Sequence, residues 1–413
     1  MEAPHKTVLD AILRRFVAVG RLDVRWPDGD HTSYRGADGP RAAIRIADAA
    51  TARRLILRPD PGFGEAYMDG RIEPEGCSIH EVLDVAMTNT APGRSDHPAM
   101  RLRMALARLG RRIAQRNQAA RSERNVRHHY DLNGRLYSLF LDRDRQYSCA
   151  YFPRGDETLE QAQAAKKRHI AAKLVLDRPG LEVLDIGSGW GGLALTLARE
   201  HGARVVGITL SREQLAESRA RAEAEGLADR VRFEALDYRA LDRDFDRIVS
   251  VGMFEHVGVG HYRQFFETVA RRLRPDGVAL IHAIGRFEGA GATSPWIDRY
   301  IFPGGYCPAL SEVLPGIERA GLMTTDIEIL RLHYAETLRH WRARFAANRD
   351  AIAGLYDERF CRMFEFYLSG SELAFRRQGH MVFQIQLAKG HGTVPIARDY
   401  MYARAGAMAR ARG

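Results

Sequence analysis

The stretch VLDIGSGWGG, Val183–Gly192, holds the residues whose combined chemistry is easiest to read. An apolar run enters it, Asp185 interrupts that run, and a glycine-rich turn leads into the apolar segment Leu193–Ala198. That pattern predicts a buried strand, a tight loop and a helix. Gly187, Gly189 and Gly191 remove the side chains that would hold a ligand away from the helix N-terminus. Four further segments carry reactive groups: Cys149 in YSCAYF (Tyr147–Phe152), Glu255 and His256 in VGMFEHVG, His282 in ALIHAIG, and Tyr334 in RLHYAETLRHW. Taken alone, His282 reads as a satisfied core histidine and Cys149 as a buried inert thiol. Glu255 follows a strand at the edge where the glycine turn opens, so it reads as functional unaided.

Gly187, Gly189 and Gly192 also satisfy G-x-G-x-x-G, the dinucleotide fingerprint. Two features argue against a dinucleotide. Asp185 stands two residues before the first glycine, where that fingerprint has an apolar residue. The next strand, Arg204–Ile208, ends in Thr209-Leu210-Ser211 rather than in the acid that grips a ribose. The turn instead resembles motif I of the S-adenosylmethionine (SAM) methyltransferases, whose glycine loop includes Ser188 and Trp190 here. Beyond it, GITLSREQ (Gly207–Gln214) offers hydroxyl and amide groups, Gln214 among them, where a ribose should lie. Asp237 and Tyr238, after the third strand, are placed to meet the adenine, with the acid accepting from its amino group. These segments share one edge of a parallel sheet, the edge at which open α/β folds bind ligands.

The elements that must position these groups alternate along the chain. Helix Ala162–Leu176, strand Glu182–Ile186, helix Leu193–His201, strand Arg204–Ile208, helix Arg212–Glu225 and strand Val231–Glu234 come first. Strand Phe245–Val251, a helix around Tyr262–Leu273, strand Val278–Ile284 and a helix near Leu310–Ala320 follow, a doubly wound Rossmann-like α/β pattern. Arg286–Pro308 interrupts it as an inserted lid or pocket loop. Residues 1–90 read as a smaller mixed α/β domain, with strands Leu22–Trp26 and Ala43–Ile46, helices Thr51–Leu57 and Ile79–Met87, and a glycine-bounded segment Gly62–Gly70. Residues 91–128 form a basic amphipathic linker in which Met100, Met104, Leu106, Leu109 and Ile113 share a helical stripe. It reads as a membrane-surface or partner-binding helix, or as a strut packed on residues 129–413, the catalytic domain.

The 413 residues are enough for two domains, and 45% hydrophobic with 28% charged residues is a globular balance. No apolar run reaches the ~18 residues of a membrane span, and the N-terminus lacks a signal-type core. The cytoplasm is the expected compartment. Cys77, Cys149, Cys307 and Cys361 show no C-x-x-C spacing, so neither a disulfide framework nor a zinc site is expected. A net charge of +10 points to a polyanion, nucleic acid or an anionic membrane.

Together YSCAYF, DIGSGWGG, GITLS, GMFEHVG, HAIG and WIDRYIFPGG (Trp296–Gly305) resemble the cyclopropane-fatty-acyl-phospholipid synthases and their mycolic acid relatives. The resemblance covers about residues 125–400. GFGEAYMDG extends it into the N-terminal domain, which the phospholipid-acting members have and the mycolic ones lack, and so implies that residues 1–90 are a lipid-associated domain. It implies SAM as cofactor, with Tyr147 and Ser148 joining its site. It also implies a bicarbonate base held by Cys149, Glu255, His282, the backbone of Ile284, and Tyr334; the last rests on the T-L-x-x-W that follows it. The implied reaction puts a methylene on a cis double bond of a phospholipid acyl chain. The alkene attacks the sulfonium methyl, and a proton must leave the new methyl before the ring closes. Glu255 should accept the bicarbonate O–H or be protonated, because two like charges repel. Phe254, Tyr300 and Phe302 are candidate faces for the passing cation. The implied partner is an anionic membrane reached from its inner face, with the enzyme a homodimer. The same site could yield methyl- or methylene-branched chains instead. A small-molecule methyltransferase is a third reading. Nucleic acid is disfavoured, since neither an N/D-P-P-Y/F motif nor an aromatic RNA platform is evident.

Overall fold

The computed structural model describes residues 4–90 and 134–402. The basic linker 91–128 lies outside them. Two compact units emerge among the described residues, each assembled from separated pieces of chain: one takes residues 4–90, Ala292–Pro303 and Leu338–Gly379, the other the described segments between and beyond. The linear division expected from the sequence, with one catalytic block at 129–413, is therefore replaced by an interleaved one.

In the first unit a hairpin joins β1 (Val19–Arg25) to β2 (His31–Arg35), turning at Gly29 with φ +90°. β3 (Ala37–Ile46) runs parallel to β1, and the short β4 (Ile72–Pro74) closes the order β2-β1-β3-β4. Alternation along β1 sends Leu22 and Val24 into the core beside Trp26, Ile44 and Ile46. The segment Gly62–Gly70, expected as a glycine-bounded stretch, lies largely within a helix, Pro59–Met68. Proline opens that helix, and Gly64 is small because a Cβ there would meet the Trp296 indole nitrogen at 2.5 Å. Trp296 belongs to helix Pro295–Tyr300, inside the insertion expected as a lid, and its ring lies 4.6 Å from that of Phe366. Part of the insertion is thus core material of this unit, and the helices Arg349–Leu355 and Glu358–Arg377, which the sequence reading did not resolve, belong here too.

The second unit is built on a seven-stranded sheet: β5 (Glu182–Ile186), β6 (Arg204–Thr209), β7 (Val231–Ala235), β8 (Phe245–Val251), β9 (Leu273–Arg286), β10 (Met323–Ile329) and β11 (His380–Ala388). Their order is β10-β11-β9-β8-β5-β6-β7, parallel from β9 through β7, with β11 antiparallel to both its neighbours. Successive residues feed opposite cores: Val183, Val205 and Val249 pack with helices Leu159–Lys173 and Gly192–His201, while Leu184, Val206 and Ile248 pack with helix Tyr262–Arg272. Burial on both faces is what a doubly wound parallel sheet requires, and it explains the near-continuous apolar strands in the sequence.

Candidate active site

β5, β6, β7 and β8 all end on one edge of this sheet, and a cleft of about 1160 Å³, its open mouth included, lies there. Tyr147, Ser148, Asp185, Gly187, Ser188, Gly189, Trp190, Thr209, Leu210, Gln214, Asp237 and Tyr238 line it, so the sequence-predicted cofactor residues converge. Gly191 and Ser211 stand behind the wall. Gly191 turns into helix Gly192–His201 at φ +83°, where a Cβ would strike the Phe233 ring at 2.7 Å. Ser211 caps helix Arg212–Ala224 by accepting from Gln214 N.

The glycine turn is held by the backbone. Gly187 N–H and Ser188 N–H both donate to the Ile208 carbonyl, at 2.9 and 3.0 Å. Asp185 is buried with Oδ2 lacking any hydrogen-bond partner, and burial pushes its carboxyl up to about 7. A buried acceptor without a donor costs about 1–3 kcal/mol, so this oxygen suits a ligand that brings one. Gly189, at φ +54°, has open space where its side chain would stand. Thr209 donates to Gln214 Oε1 at 3.0 Å, turning the carbonyl end of Gln214 inward. Asp237 lines the cleft with both oxygens already engaged: Arg239 donates through Nε at 2.8 Å to one and through a terminal nitrogen at 2.5 Å to the other. The predicted adenine acceptor is therefore also the anchor of its own turn, and would have to share an oxygen with Arg239.

Glu255 sits in the short turn after β8, fully buried. Its Oε1 accepts from Ile284 N–H at 2.6 Å, while Oε2 has no partner, and burial lifts the carboxyl to about 7. The backbone donor that the resemblance gave to an anion is thus used by Glu255, because the tight turn after β8 brings the carboxylate onto β9. His282 lies two residues earlier on β9, on the same face of the strand. Its carbonyl accepts from Gly252 N–H at 2.9 Å, and Gln384 of β11, its register partner, donates to Nδ1 at 3.1 Å. With Nδ1 accepting, the ring proton belongs on Nε2. Burial, with Lys166 and Lys173 nearby, drives this imidazole down to about 3, so it stays neutral.

Cys149 is buried next to Ser148 of the cleft, its thiol donating to the Ala150 carbonyl at 3.3 Å; burial pushes the thiol's titration far up, which keeps it protonated. Helix His333–Ala347 clamps this segment, since Ala150 N–H donates to Thr337 Oγ1 at 3.0 Å and Phe152 N–H to His333 Nδ1 at 3.0 Å. Tyr334 lies buried in the same turn of that helix. The candidate cation-stabilising rings are used for packing. Phe254 stacks on Tyr262 at 4.5 Å in the core of the catalytic unit. Tyr300 donates to Glu65 at 3.0 Å and Phe302 meets Tyr367 edge-on, both in the first unit.

The sequence reading missed Lys166. Its ammonium is buried and donates to Gln146 Oε1 at 2.5 Å and Ser148 Oγ at 2.9 Å, both residues of the cleft wall. Burial lowers it to about 8, and its charge acts on Cys149, Asp185 and His282 alike. Only its place on the inward face of helix Leu159–Lys173, among apolar neighbours, signalled it. His256 also lines the cleft, held neutral by burial at about 4.

A seven-stranded sheet of this order, with a glycine turn, an orphaned acid and polar strand ends around one cleft, defines a SAM-dependent methyltransferase. The family description "Mycolic acid cyclopropane synthetase" matches residues 117–385, and a domain of unknown function matches 8–95. The chain belongs to the mycolic acid cyclopropane synthetase family. It is 44% identical to a probable fatty acid methyltransferase of Pseudomonas putida over 92% of this chain and 96% of that one. It is 39% identical to the cyclopropane-fatty-acyl-phospholipid synthase of Escherichia coli K12 over 84% and 88% respectively. The structure of the Mycobacterium tuberculosis cyclopropane synthase MmaA2 superposes with TM-score 0.62 at 33% identity, covering 65% of this chain and 98% of that one. Mycolic acid cyclopropane synthase CmaA1, solved with SAH and CTAB, gives 0.61 at 34%, covering 64% and 97%.

Proposed function

We propose that this enzyme transfers a methylene from SAM to a cis double bond of an unsaturated phospholipid acyl chain, forming a cyclopropane. The observation that carries the reading is Glu255: one oxygen is fixed by Ile284 N–H, the other is buried without a partner, and His282 follows on the same face of β9. A carboxyl held in this way suits the removal of a proton near the cofactor cleft. The sulfonium cofactor supplies an electrophilic methyl. Asp185 Oδ2 and the open side of Gly189 fit its binding, and the wall from Thr209 to Tyr238 completes the site.

A bicarbonate ion, a base not tethered to the protein, would be held by Cys149, Glu255, His282 and Tyr334. Glu255, with its carboxyl near 7, is able to carry a proton toward an anion instead of repelling it, and His282 offers Nε2–H. Ile284 supports that set through Glu255. Membrane phospholipid at an anionic inner-leaflet surface, a cytoplasmic peripheral location and a homodimer complete the proposal. Among the described residues no helix is long and apolar enough to cross a membrane.

Branching of the acyl chain is the second reading, favoured by the Pseudomonas putida relative's name and by 35% identity to the tuberculostearic acid methyltransferase UfaA1 of Mycobacterium tuberculosis. Expression in a host without cyclopropane lipids, followed by mass spectrometry and proton NMR of the lipids, separates the two. Cyclopropanation adds one CH2 per unsaturated chain, removes the olefinic signals and creates upfield ring protons. Branched-chain signals without ring protons would establish the second reading, and unchanged lipids would reject both.

A further inference from the structure

We propose that Lys166 is a positioning residue of the cofactor site, fixing the Ser148 hydroxyl as a hydrogen-bond donor toward the cleft for the carboxylate of SAM. The argument starts from polarity. An ammonium has three N–H donors and no acceptor, so Ser148 Oγ, 2.9 Å away, can only accept from it. The Ser148 hydrogen must therefore point elsewhere. Among the described residues nothing else bonds to that oxygen, and Ser148 lines the cleft. Gln146, beside it on the wall, is oriented in the same way: Oε1 accepts from Lys166 at 2.5 Å and Nε2 donates to Asp144 Oδ2 at 3.1 Å. A positive charge directly behind this wall repels a sulfonium and attracts an anion, and the carboxylate is the anionic end of SAM. The charge also polarises the serine O–H, which strengthens it as a donor.

Stability does not account for Lys166. It is 1% exposed and both its acceptors are neutral oxygens, whereas the adjacent Lys167 pairs with the Asp144 carboxylate at 2.5 Å. An ammonium buried on neutral oxygens is costly to the fold. Burial lowers it to about 8, which still leaves it charged at pH 7. Nor does the backbone of the wall depend on it. Gln163, one turn earlier on helix Leu159–Lys173, donates from Nε2 to the Ser148 carbonyl at 2.9 Å and to the Gln146 carbonyl at 3.3 Å. The Gln146 N–H is taken by Asp142 Oδ1 at 2.8 Å. Removing Lys166 thus leaves the wall in place and deletes a charge and two donors. The inference needs only SAM as the methyl donor, and holds whether the acyl product is a cyclopropane or a branch.

The test is calorimetry on the full chain with two probes. S-adenosylhomocysteine keeps the carboxylate, and 5′-methylthioadenosine keeps the adenosine and thioether without it. Lys166→Met, which preserves length and removes charge, should weaken S-adenosylhomocysteine binding ~10-fold or more, the worth of a hydrogen bond to a charged group. Its affinity for methylthioadenosine should stay within ~2-fold, and its melting temperature should be equal or higher. Ser148→Ala should show the same selectivity. In that background Lys166→Met should cost less than ~2-fold, because the two residues act through one bond. Unchanged affinity of Lys166→Met for S-adenosylhomocysteine would overturn the proposal, as would equal losses for the two probes or additive losses in the double variant. A lowered melting temperature with affinity intact would make Lys166 a structural strut and overturn it too. Binding is read without an acyl substrate, so a failure of the lipid product assay and a failure here remain separate results.

Discussion

Glu255 and Asp185 are both carboxyls raised to about 7 by burial, and both leave one oxygen without a partner, yet their surroundings give them different tasks. Glu255 is fixed by a backbone donor of β9, whereas Asp185 faces the cofactor cleft across the glycine turn. Glu255→Gln and His282→Ala should leave SAM affinity near native by calorimetry while lowering kcat ~10²-fold or more. Full kcat in Glu255→Gln with bicarbonate depleted would remove the bound-base mechanism. The same substitution has a stability signature. A carboxyl raised from 4.5 to about 7 contributes stability fully below pH 4.5 and loses it as pH rises through 7. Unaltered enzyme should therefore lose denaturant stability over that window relative to Glu255→Gln, by a few kcal/mol at most. Asp185→Ala and Gly189→Val should abolish SAM binding: the first deletes the cleft's orphan acceptor, and the second fills open space from a backbone at φ +54°. Near-native calorimetric affinity in both would overturn the cofactor assignment.

At the scale of elements, the parallel strands were legible because both of their faces are buried, so periodicity and length coincide; Phe245–Val251 and Glu182–Ile186 match residue for residue. The hairpin strand His31–Arg35 was not, since four of its five residues face outward or sit half-buried and leave no apolar alternation. Helix Pro59–Met68 was hidden by its glycines, one of which, Gly64, serves a close approach to Trp296 from a distant part of the chain. The same limit applies to the site. Motif residues announced themselves, while Lys166 and the Gln384–His282 pair depend on which faces meet in three dimensions. The clamp on the Cys149 segment is a contact of that kind. Thr337→Val keeps the shape of the helix but leaves Ala150 N–H buried without an acceptor, at a cost of about 1–3 kcal/mol. The variant should melt earlier and show a lower kcat with little change in KM for SAM, because the segment carrying Cys149 shifts while the glycine turn stays. An unchanged melting temperature would mean that the clamp holds nothing.

At the scale of the whole molecule, a charge of +10 is a force that salt can test. Coulomb attraction to an anionic surface is screened over ~8 Å at physiological ionic strength, whereas burial of aliphatic side chains is not. The arginines of 91–128 supply the Coulomb attraction in the sequence reading. Reversing Arg108, Arg111 and Arg112 to glutamate should weaken vesicle binding by ~1 kcal/mol for each charge removed, most strongly at low salt. The difference from unaltered enzyme should shrink as salt is added. Activity on detergent-dispersed phospholipid should fall much less than activity on vesicles in the arginine variant. Equal losses in both assays would show that the basic stretch braces the catalytic unit.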